Sequence, residues 1–167
     1  MSKIRRFEEV SKKHKTIFDI FTDEKGSKHK FPKDIKLPTR NDSSSAGYDF
    51  YIPKDVELLP RKQTIVLTDV KAYMQEDEVL NIYIRSSLAT KHGIQLSNNV
   101  GVIDASYYNN PDNDGNIGLC LHNTSGRTVV LEEGSRVAQG IFTKYLITDD
   151  DVCTSKERSG GFGSSGE

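Results

Sequence analysis

The sequence lacks the features that mark membrane proteins and proteins that wrap nucleic acid. Its 23 Lys and Arg nearly balance 24 Asp and Glu, so no strong net field favours duplex DNA or a membrane surface. The longest apolar runs, such as residues 79–84, fall far short of the roughly 20 residues that a membrane-spanning helix needs. We therefore expect a soluble protein with no nucleic acid and no membrane among its partners.

Cysteine is also scarce. Only Cys120 and Cys153 occur, and the chain opens without the charged, apolar and small-residue pattern of a signal peptide. Disulfides are rare in reducing compartments. We therefore expect both thiols to be free and the protein to be cytoplasmic.

The repeating pattern of the chain favours strands. The 167 residues suffice for one domain with a hydrophobic core but not for two of ordinary size. From residue 46 onward, short apolar runs alternate with Gly, Pro, Asn and Asp, which is typical of an all-β sandwich or barrel. The exception is residues 86–93, where two serines precede helix formers and Gly93 follows. This segment predicts one short helix with capped ends.

The two ends of the chain depart from this pattern. Residues 1–35 are polar and rich in lysine, and we expect a first strand near residues 4–10 followed by a long loop. The apolar patch at residues 17–21 could instead form one turn of helix. Residues 157–167 are mostly Gly and Ser, which predicts a flexible segment. The expected organisation is one β-domain over residues 1–156 and a flexible C-terminal segment over residues 157–167.

Two polar segments in the middle of the chain are candidates for a functional site. Arg85, Ser86 and Ser87 stand at the start of the predicted helix, where backbone N–H groups, hydroxyls and a guanidinium favour phosphate. Asp104 ends an apolar strand and Tyr107 follows it. This order would place a carboxylate able to take a proton from water beside an aromatic face suited to a sugar. Taken alone, each segment has an ordinary explanation as a helix cap or a turn.

Three further segments are weaker candidates. Asp49 follows one turn, Arg136 and Gln139 follow another, and Arg158 and Phe162 lie in the glycine-rich C-terminal segment. Asp49 and Arg136 could form a structural ion pair. The glycine-rich backbone could wrap phosphates while Phe162 covers a base, although composition alone favours a disordered tail.

Together and in this order, the five segments resemble the five motifs of the trimeric dUTP diphosphatase (dUTPase) family. The most specific are Gly-Val-Ile-Asp-x-x-Tyr at residues 101–107 and Gly-Gly-Phe-Gly-Ser-Ser-Gly at residues 160–166. The resemblance implies an all-β fold, namely a jelly-roll-like distorted β-barrel with one short helix and a flexible C-terminal lid. It implies a homotrimer with sites shared between subunits. The implied reaction hydrolyses dUTP to dUMP and pyrophosphate, which limits uracil in DNA and supplies dUMP for dTTP synthesis.

The resemblance also implies roles around the base and sugar. Asp104 would be the general base that activates the attacking water at the α-phosphorus. Tyr107 would pack beneath the deoxyribose and exclude a 2′-hydroxyl. The residues implied to hold uracil in a β-hairpin pocket are Asn98, Gly101, Val102, Ile103 and Gly118.

A second set is implied around the phosphates. The residues implied to bind phosphates or to close as a lid are Arg85, Ser86, Ser87, Gln139, Arg158, Phe162, Gly163, Ser164 and Ser165. Mg²⁺ would be held mainly by the triphosphate and not directly by the protein. Asp49, paired with Arg136, would organise the site and approach the ion through water.

Two alternatives accompany this interpretation. One is dCTP deaminase, because the segment from Arg85 resembles the phosphate motif of that family. Cys120 stands where the deaminase has its catalytic glutamate, however, so deamination is disfavoured. The other is a nucleotide-responsive protein-binding module. Its contact for a protein partner would be the insertion from Asn109 to Asp114, which we expect to be a solvent-exposed loop.

Overall fold

The computed structural model describes residues 4–153, and strands dominate this part of the chain. The strands are β1 (Arg6–Glu9), β2 (Phe18–Thr22), β3 (Lys28–Pro32), β4 (Thr39–Arg40), β5 (Tyr48–Tyr51), β6 (Val56–Leu58), β7 (Gln63–Leu67), β8 (Val70–Tyr73), β9 (Glu78–Ile84), β10 (Ile94–Leu96), β11 (Gly101–Asp104), β12 (Gly118–Asn123), β13 (Val129–Leu131) and β14 (Arg136–Lys144). The α-helix is α1 (Ser86–His92), and 3₁₀ helices span Lys12–His14 and Ala105–Tyr107. The prediction of an all-β chain with one short helix is confirmed. Between residues 4 and 153, no helix is both long and apolar enough to cross a membrane.

Two sheets form the body of the protein. The larger has the strand order β11-β9-β14-β5-β4, and the smaller has the order β10-β12-β7. Three two-stranded ribbons complete the fold: β1 with β8, β6 with β13, and β2 with β3. Over residues 4–153 the ladders thus form five separate sheets and do not close into one continuous barrel.

Both main sheets contribute to one hydrophobic core. In β9, Leu80 and Ile82 are fully buried while Asn81 between them is only half-buried. Leu119 and Leu121 repeat this alternation in β12, as expected when successive side chains point to opposite faces. All four buried side chains belong to a single apolar cluster, so the sheets enclose a common core.

Helix α1 follows directly after β9 and ends where the sequence predicted. Gly93 has a φ of 66°, and its N–H donates to carbonyls of the last turn, which is the left-handed C-cap that glycine favours. At the other end, Arg85 is the N-cap residue, and no side chain caps the helix. The predicted serine cap was therefore wrong. Ser86 and Ser87 lie within the helix and are exposed, so their hydroxyls are available to a ligand.

The N-terminal region contains more regular structure than expected. β1 confirms the first strand, but residues 18–32 form the β2–β3 hairpin and neither a loop nor a turn of helix. Its aromatic and β-branched residues favour a strand. The backbone N–H of Lys33 donates to Ile17 O at 3.0 Å, so the hairpin leaves and re-enters the domain at one point. Its exposed apolar side chains are Phe18, Ile20, Phe21 and Phe31.

Asp69 anchors the segment that leads into this hairpin. It is fully buried. Its carboxylate accepts hydrogen bonds from the backbone N–H groups of Thr16 and Ile17, from the Thr16 hydroxyl and from the Asn116 amide, at 2.7–3.1 Å. These four donors replace the water that a buried carboxylate loses.

Replacing Asp69 with Ala is expected to lower the free energy of unfolding by about 3 kcal/mol, because several buried donors lose their charged acceptor. Urea unfolding at a fixed chain concentration measures this loss. The exposed Asp150 provides a matched control, since Asp150→Ala should stay within about 0.5 kcal/mol of the parent. Equal unfolding midpoints for the two variants would show that Asp69 is no anchor.

Candidate functional site

Asp104 is the last residue of β11 and lines a cleft with a volume of ≈ 920 Å³. Its backbone is fixed opposite Val79 of β9, and its side chain is exposed. We call this space the Asp104 cleft. Its other walls are Ala105 and Ser106, residues 73–77, and Tyr145. An exposed carboxylate at a fixed strand end can accept a proton from water in the cleft.

The Asp104 cleft is acidic. Glu76 and Asp77 line it with Asp104, and none of its described lining residues is Lys or Arg. The ammonium of Lys144 donates a hydrogen bond to Asp77 and lowers the pKa of that carboxyl below its usual value, so Asp77 is ionised at neutral pH. The cleft can supply a base, but the cations that a triphosphate needs must come from elsewhere.

The cations lie in a second cleft of ≈ 480 Å³, which we call the arginine cleft. Its lining residues include Arg85, Ser86, Arg136 and Gln139 together with Asp49. Adjacent strands bring them together, because Gln139 of β14 lies opposite Asp49 of β5 on one side and a residue of β9 on the other. Three of the five candidate segments therefore meet here. Ser87, which follows Ser86 in α1, is exposed.

Asp49 holds the two arginines of this cleft. It is buried, with 7% of its surface exposed. Its Oδ2 accepts a hydrogen bond from Arg136 Nη1 at 3.1 Å, and its Oδ1 lies 3.6 Å from Arg85 Nε. The expected pair between Asp49 and Arg136 is thus present. One acid between two guanidinium groups leaves net positive charge in the cleft, and arginine is well suited to binding phosphate.

Close packing against Gln139 requires glycine at position 47, two residues before Asp49. A Cβ at position 47 would lie 2.6 Å from Gln139 Oε1 and 3.2 Å from Gln139 Cβ. Any larger residue would therefore displace the Gln139 side chain from the arginine cleft.

The residues expected to hold uracil are spread over two sheets. β11, which spans Gly101–Asp104, pairs with β9, whereas β12 begins at Gly118 and pairs with β7 and β10. The connection over residues 105–117 is far longer than a tight hairpin turn, which accounts for the separation. Asn98 and Val102 are exposed, and their contact with a base stays a prediction.

The insertion over residues 109–114 is held at both ends. Asn110 and Asp114 are buried, with 3% and 9% of their surfaces exposed. Asp114 Oδ2 accepts hydrogen bonds from Lys71 Nζ at 3.0 Å and from the Ser11 backbone N–H at 2.6 Å. Burial raises the pKa of Asp114, but these donors outweigh it and hold the pKa below its usual value. The expectation of a solvent-exposed loop was therefore wrong for Asn110 and Asp114 and correct for Asn109, Pro111 and Asp112.

The N-terminal strand supports the Asp104 cleft in a way that the sequence did not reveal. Tyr108 donates its hydroxyl proton to Glu8 and accepts a hydrogen bond from Arg6. The Arg6 guanidinium lies 4.3 Å from the centre of the Tyr73 ring, which lines the cleft. Hydrogen bonds from Tyr108 and Arg6 lower the pKa of Glu8. These partners lie about 100 positions apart, so no local motif signals them.

Several predicted site residues lie outside the described part of the chain, and their roles stay predictions. They are Arg158, Phe162, Gly163, Ser164 and Ser165. Within residues 4–153, no three side chains of His, Cys, Asp or Glu are grouped so that they could hold a metal ion. Cys120 and Cys153 are both free thiols, as expected.

Comparisons with known proteins point to one family. The family model described as dUTPase matches residues 33–166. The deoxyuridine 5′-triphosphate nucleotidohydrolase of Lactococcus lactis is 47% identical over 133 residues, which cover 79% of this chain and 89% of that protein. The enzyme of the same name from Kluyveromyces lactis is 34% identical over 139 residues, which cover 80% of this chain and 88% of that protein.

Solved structures agree. The crystal structure of dUTPase from Streptococcus mutans is 47% identical, has a TM-score of 0.65, and matches 68% of this chain and 88% of that one. The dUTPase from phage phi11 of S. aureus has a TM-score of 0.65 and matches 92% of this chain and 97% of that one, but at 19% identity the likeness concerns the fold alone. The matches favour dUTP hydrolysis over deamination of dCTP. Because the family model spans most of the chain and the sequence relatives agree with it, the chain belongs to the dUTPase family, whose activity is the hydrolysis of dUTP.

Proposed function

We propose that this enzyme converts dUTP to dUMP and pyrophosphate through a water molecule that Asp104 activates. The observation that carries the proposal is the position of Asp104, an exposed carboxylate at a strand end in a cleft of ≈ 920 Å³. The water oxygen forms a bond to the α-phosphorus, and the bond from this phosphorus to the bridging oxygen breaks. The proton passes to Asp104, and pyrophosphate leaves.

The two clefts of one chain are too far apart to act on one triphosphate. Asp104 lies opposite Val79 near the start of β9, while Arg85 directly follows the end of that strand. From position 79 to position 85, at about 3.3 Å per residue, the backbone advances about 20 Å. Asp104 and Arg85 of the same chain therefore cannot both contact neighbouring phosphates of one nucleotide.

The proposed site instead combines two copies of the chain. The Asp104 cleft has acidic walls and the arginine cleft has two guanidinium groups, so opposite charges favour contact between copies. Head-to-tail contacts close into a ring when the rotation between copies closes, and the family resemblance implies a ring of three. The segment with Phe162 would then close over the base and phosphates as a lid.

Mg²⁺ is proposed to enter with the triphosphate. Asp49 is already engaged by Arg85 and Arg136, which suits it to an indirect contact through water and not to direct ligation. This arrangement fits an ion held by phosphate oxygens, where it would neutralise charge on the phosphates.

The proposed cellular role is to limit uracil in DNA and to supply dUMP for dTTP synthesis in the cytoplasm. A nucleotide-responsive binding module gains no support from the insertion, because Lys71 and Ser11 fix Asp114 to the body of the domain. A protein partner at the Asn109 to Asp114 loop stays a prediction.

The proposal is tested by incubating the protein with Mg²⁺ and dUTP, dCTP, dTTP or UTP and separating the products by chromatography. We expect dUMP and pyrophosphate from dUTP, with dTTP and UTP at least about tenfold slower. A parallel reaction with EDTA should lose most of this activity. Formation of dUTP from dCTP, or no turnover of any nucleotide, would contradict the proposal.

A further inference from the structure

Asn113, within the insertion, contacts the hydroxyl of Tyr107. Asn113 Nδ2 donates to Tyr107 Oη at 2.7 Å, and Tyr107 Oη donates to Asn116 O at 2.9 Å. A tyrosine hydroxyl has one proton to donate and can also accept. Both capacities are used here, so the far end of the ring is tethered from two directions.

The orientation of the Asn113 amide is set by its other contact. The backbone N–H of Gly115 donates to Asn113 Oδ1 at 3.0 Å, which requires the NH₂ group to face Tyr107. Gly115 has a φ of 80°, and a Cβ there would lie 2.6 Å from Tyr107 O. The loop thus packs against the backbone of Tyr107 at Gly115, and it is hydrogen-bonded to the Tyr107 hydroxyl through Asn113.

The loop that carries Asn113 is itself well supported. The Asp112 backbone N–H donates to Asn110 Oδ1 at 3.0 Å, and Asn110 is buried. At the other end, Asp114 is held by Lys71 and Ser11. Asn113 lies between these two anchors, so it can act as a fixed support for the Tyr107 ring.

We infer that Asn113 is a positioning residue that increases the selectivity for deoxyribose over ribose by holding the Tyr107 ring in place. The inference rests on the proposed function and on the role that the family resemblance implies for Tyr107, which is to pack beneath the deoxyribose. Tyr107 follows Asp104 by one turn of 3₁₀ helix. A ring that excludes a 2′-hydroxyl by contact must stay within about 0.5 Å of its position, and a tethered hydroxyl prevents the ring from tilting to admit ribose.

The test is the ratio of kcat/KM for dUTP to kcat/KM for UTP in Asn113→Asp. Aspartate keeps an acceptor for the Gly115 N–H but lacks the donor to Tyr107. The ratio is expected to fall about threefold to tenfold, the effect of one hydrogen bond. Asn109→Asp is the matched control, because it adds the same charge to the loop, keeps an acceptor for Lys71 and should leave the ratio unchanged.

A double variant tests whether Asn113 acts through the tyrosine hydroxyl. In a Tyr107→Phe background, Asn113→Asp should cause no further fall in the ratio. Should Asn113→Asp not fold, Asn113→Ser takes its place, since the shorter hydroxyl cannot reach Tyr107.

Two results would overturn the inference. The first is an equal loss of kcat/KM for dUTP and for UTP in Asn113→Asp, which indicates a merely structural role. The second is a further fall of the ratio when Asn113→Asp is added to Tyr107→Phe. Assays of the parent enzyme distinguish a failure of this inference from a failure of the proposed function. Absence of dUTP hydrolysis in the parent contradicts the proposed function, whereas normal hydrolysis with an unchanged ratio in Asn113→Asp contradicts only the role of Asn113.

Discussion

Asp104→Asn is expected to lower kcat for dUTP about a thousandfold, because an amide of the same shape cannot accept the proton of the attacking water. The variant should fold, since the backbone of Asp104 is fixed by pairing with β9 and its side chain is exposed. Nucleotide binding, measured by calorimetric titration with dUTP, should be nearly unchanged. Release of pyrophosphate in the steady state gives kcat.

Asp77→Asn is the matched control for this prediction. Asp77 lines the same cleft, but its charge is already paired with Lys144, so its loss should change kcat only a fewfold. An Asp104→Asn enzyme that keeps a tenth or more of its activity, on the scale of about 10²–10⁴ expected for a general base, would remove Asp104 from the role of base.

Mixing two inactive variants is expected to restore activity. Arg85→Ala removes the proposed phosphate ligand, and Asp104→Asn removes the proposed base. A complete site takes its acid from an Arg85→Ala copy and its arginine from an Asp104→Asn copy. In a ring of three that contains both variants, about one site in three should therefore be intact. Co-expression with two different affinity tags, followed by purification over both, yields the mixed species for assay.

The matched control for the mixture is Asp104→Asn carrying both tags, which should stay inactive. Failure of the mixed oligomers to exceed either variant alone would mean that Asp104 and Arg85 act within one chain. That result would conflict with their separation along β9, since the strand places their backbones about 20 Å apart.

Features that depend on short stretches of chain were predictable from the sequence. Gly93 ends α1 because a left-handed C-cap strongly favours glycine. The alternation of buried and half-buried residues in β9 follows from the period of two in a strand. Candidate site residues such as Arg85, Asp49 and Asp104 were found through the family motifs, and the structure places the first two in one cleft and Asp104 in another.

Features that depend on distant partners were not predictable. The burial of Asp114 rests on Lys71, 43 positions earlier, and a loop rich in Asn and Asp looks equally polar whether or not such a partner exists. Residues 18–32 were expected to lie in a long loop or one turn of helix because polar, lysine-rich runs surround the short apolar patch there, yet they pair as a hairpin. The serine cap was wrong because Arg85, which continues directly from β9, holds the N-cap position.

The contact between the two ends of the β2–β3 hairpin allows the length and sequence of this segment to vary. Ile17 and Lys33 are already joined by a backbone hydrogen bond, and the family match begins at residue 33. β2 and β3 pair only with each other among the described strands, so chain added or removed between these two residues leaves the other ladders intact. Beyond the β2–β3 ladder itself, it alters the loop-closure entropy, which grows slowly with length. Evolution can therefore exchange this segment for a longer or shorter one, and a foreign peptide can be grafted there, while the domain keeps its strand pairing.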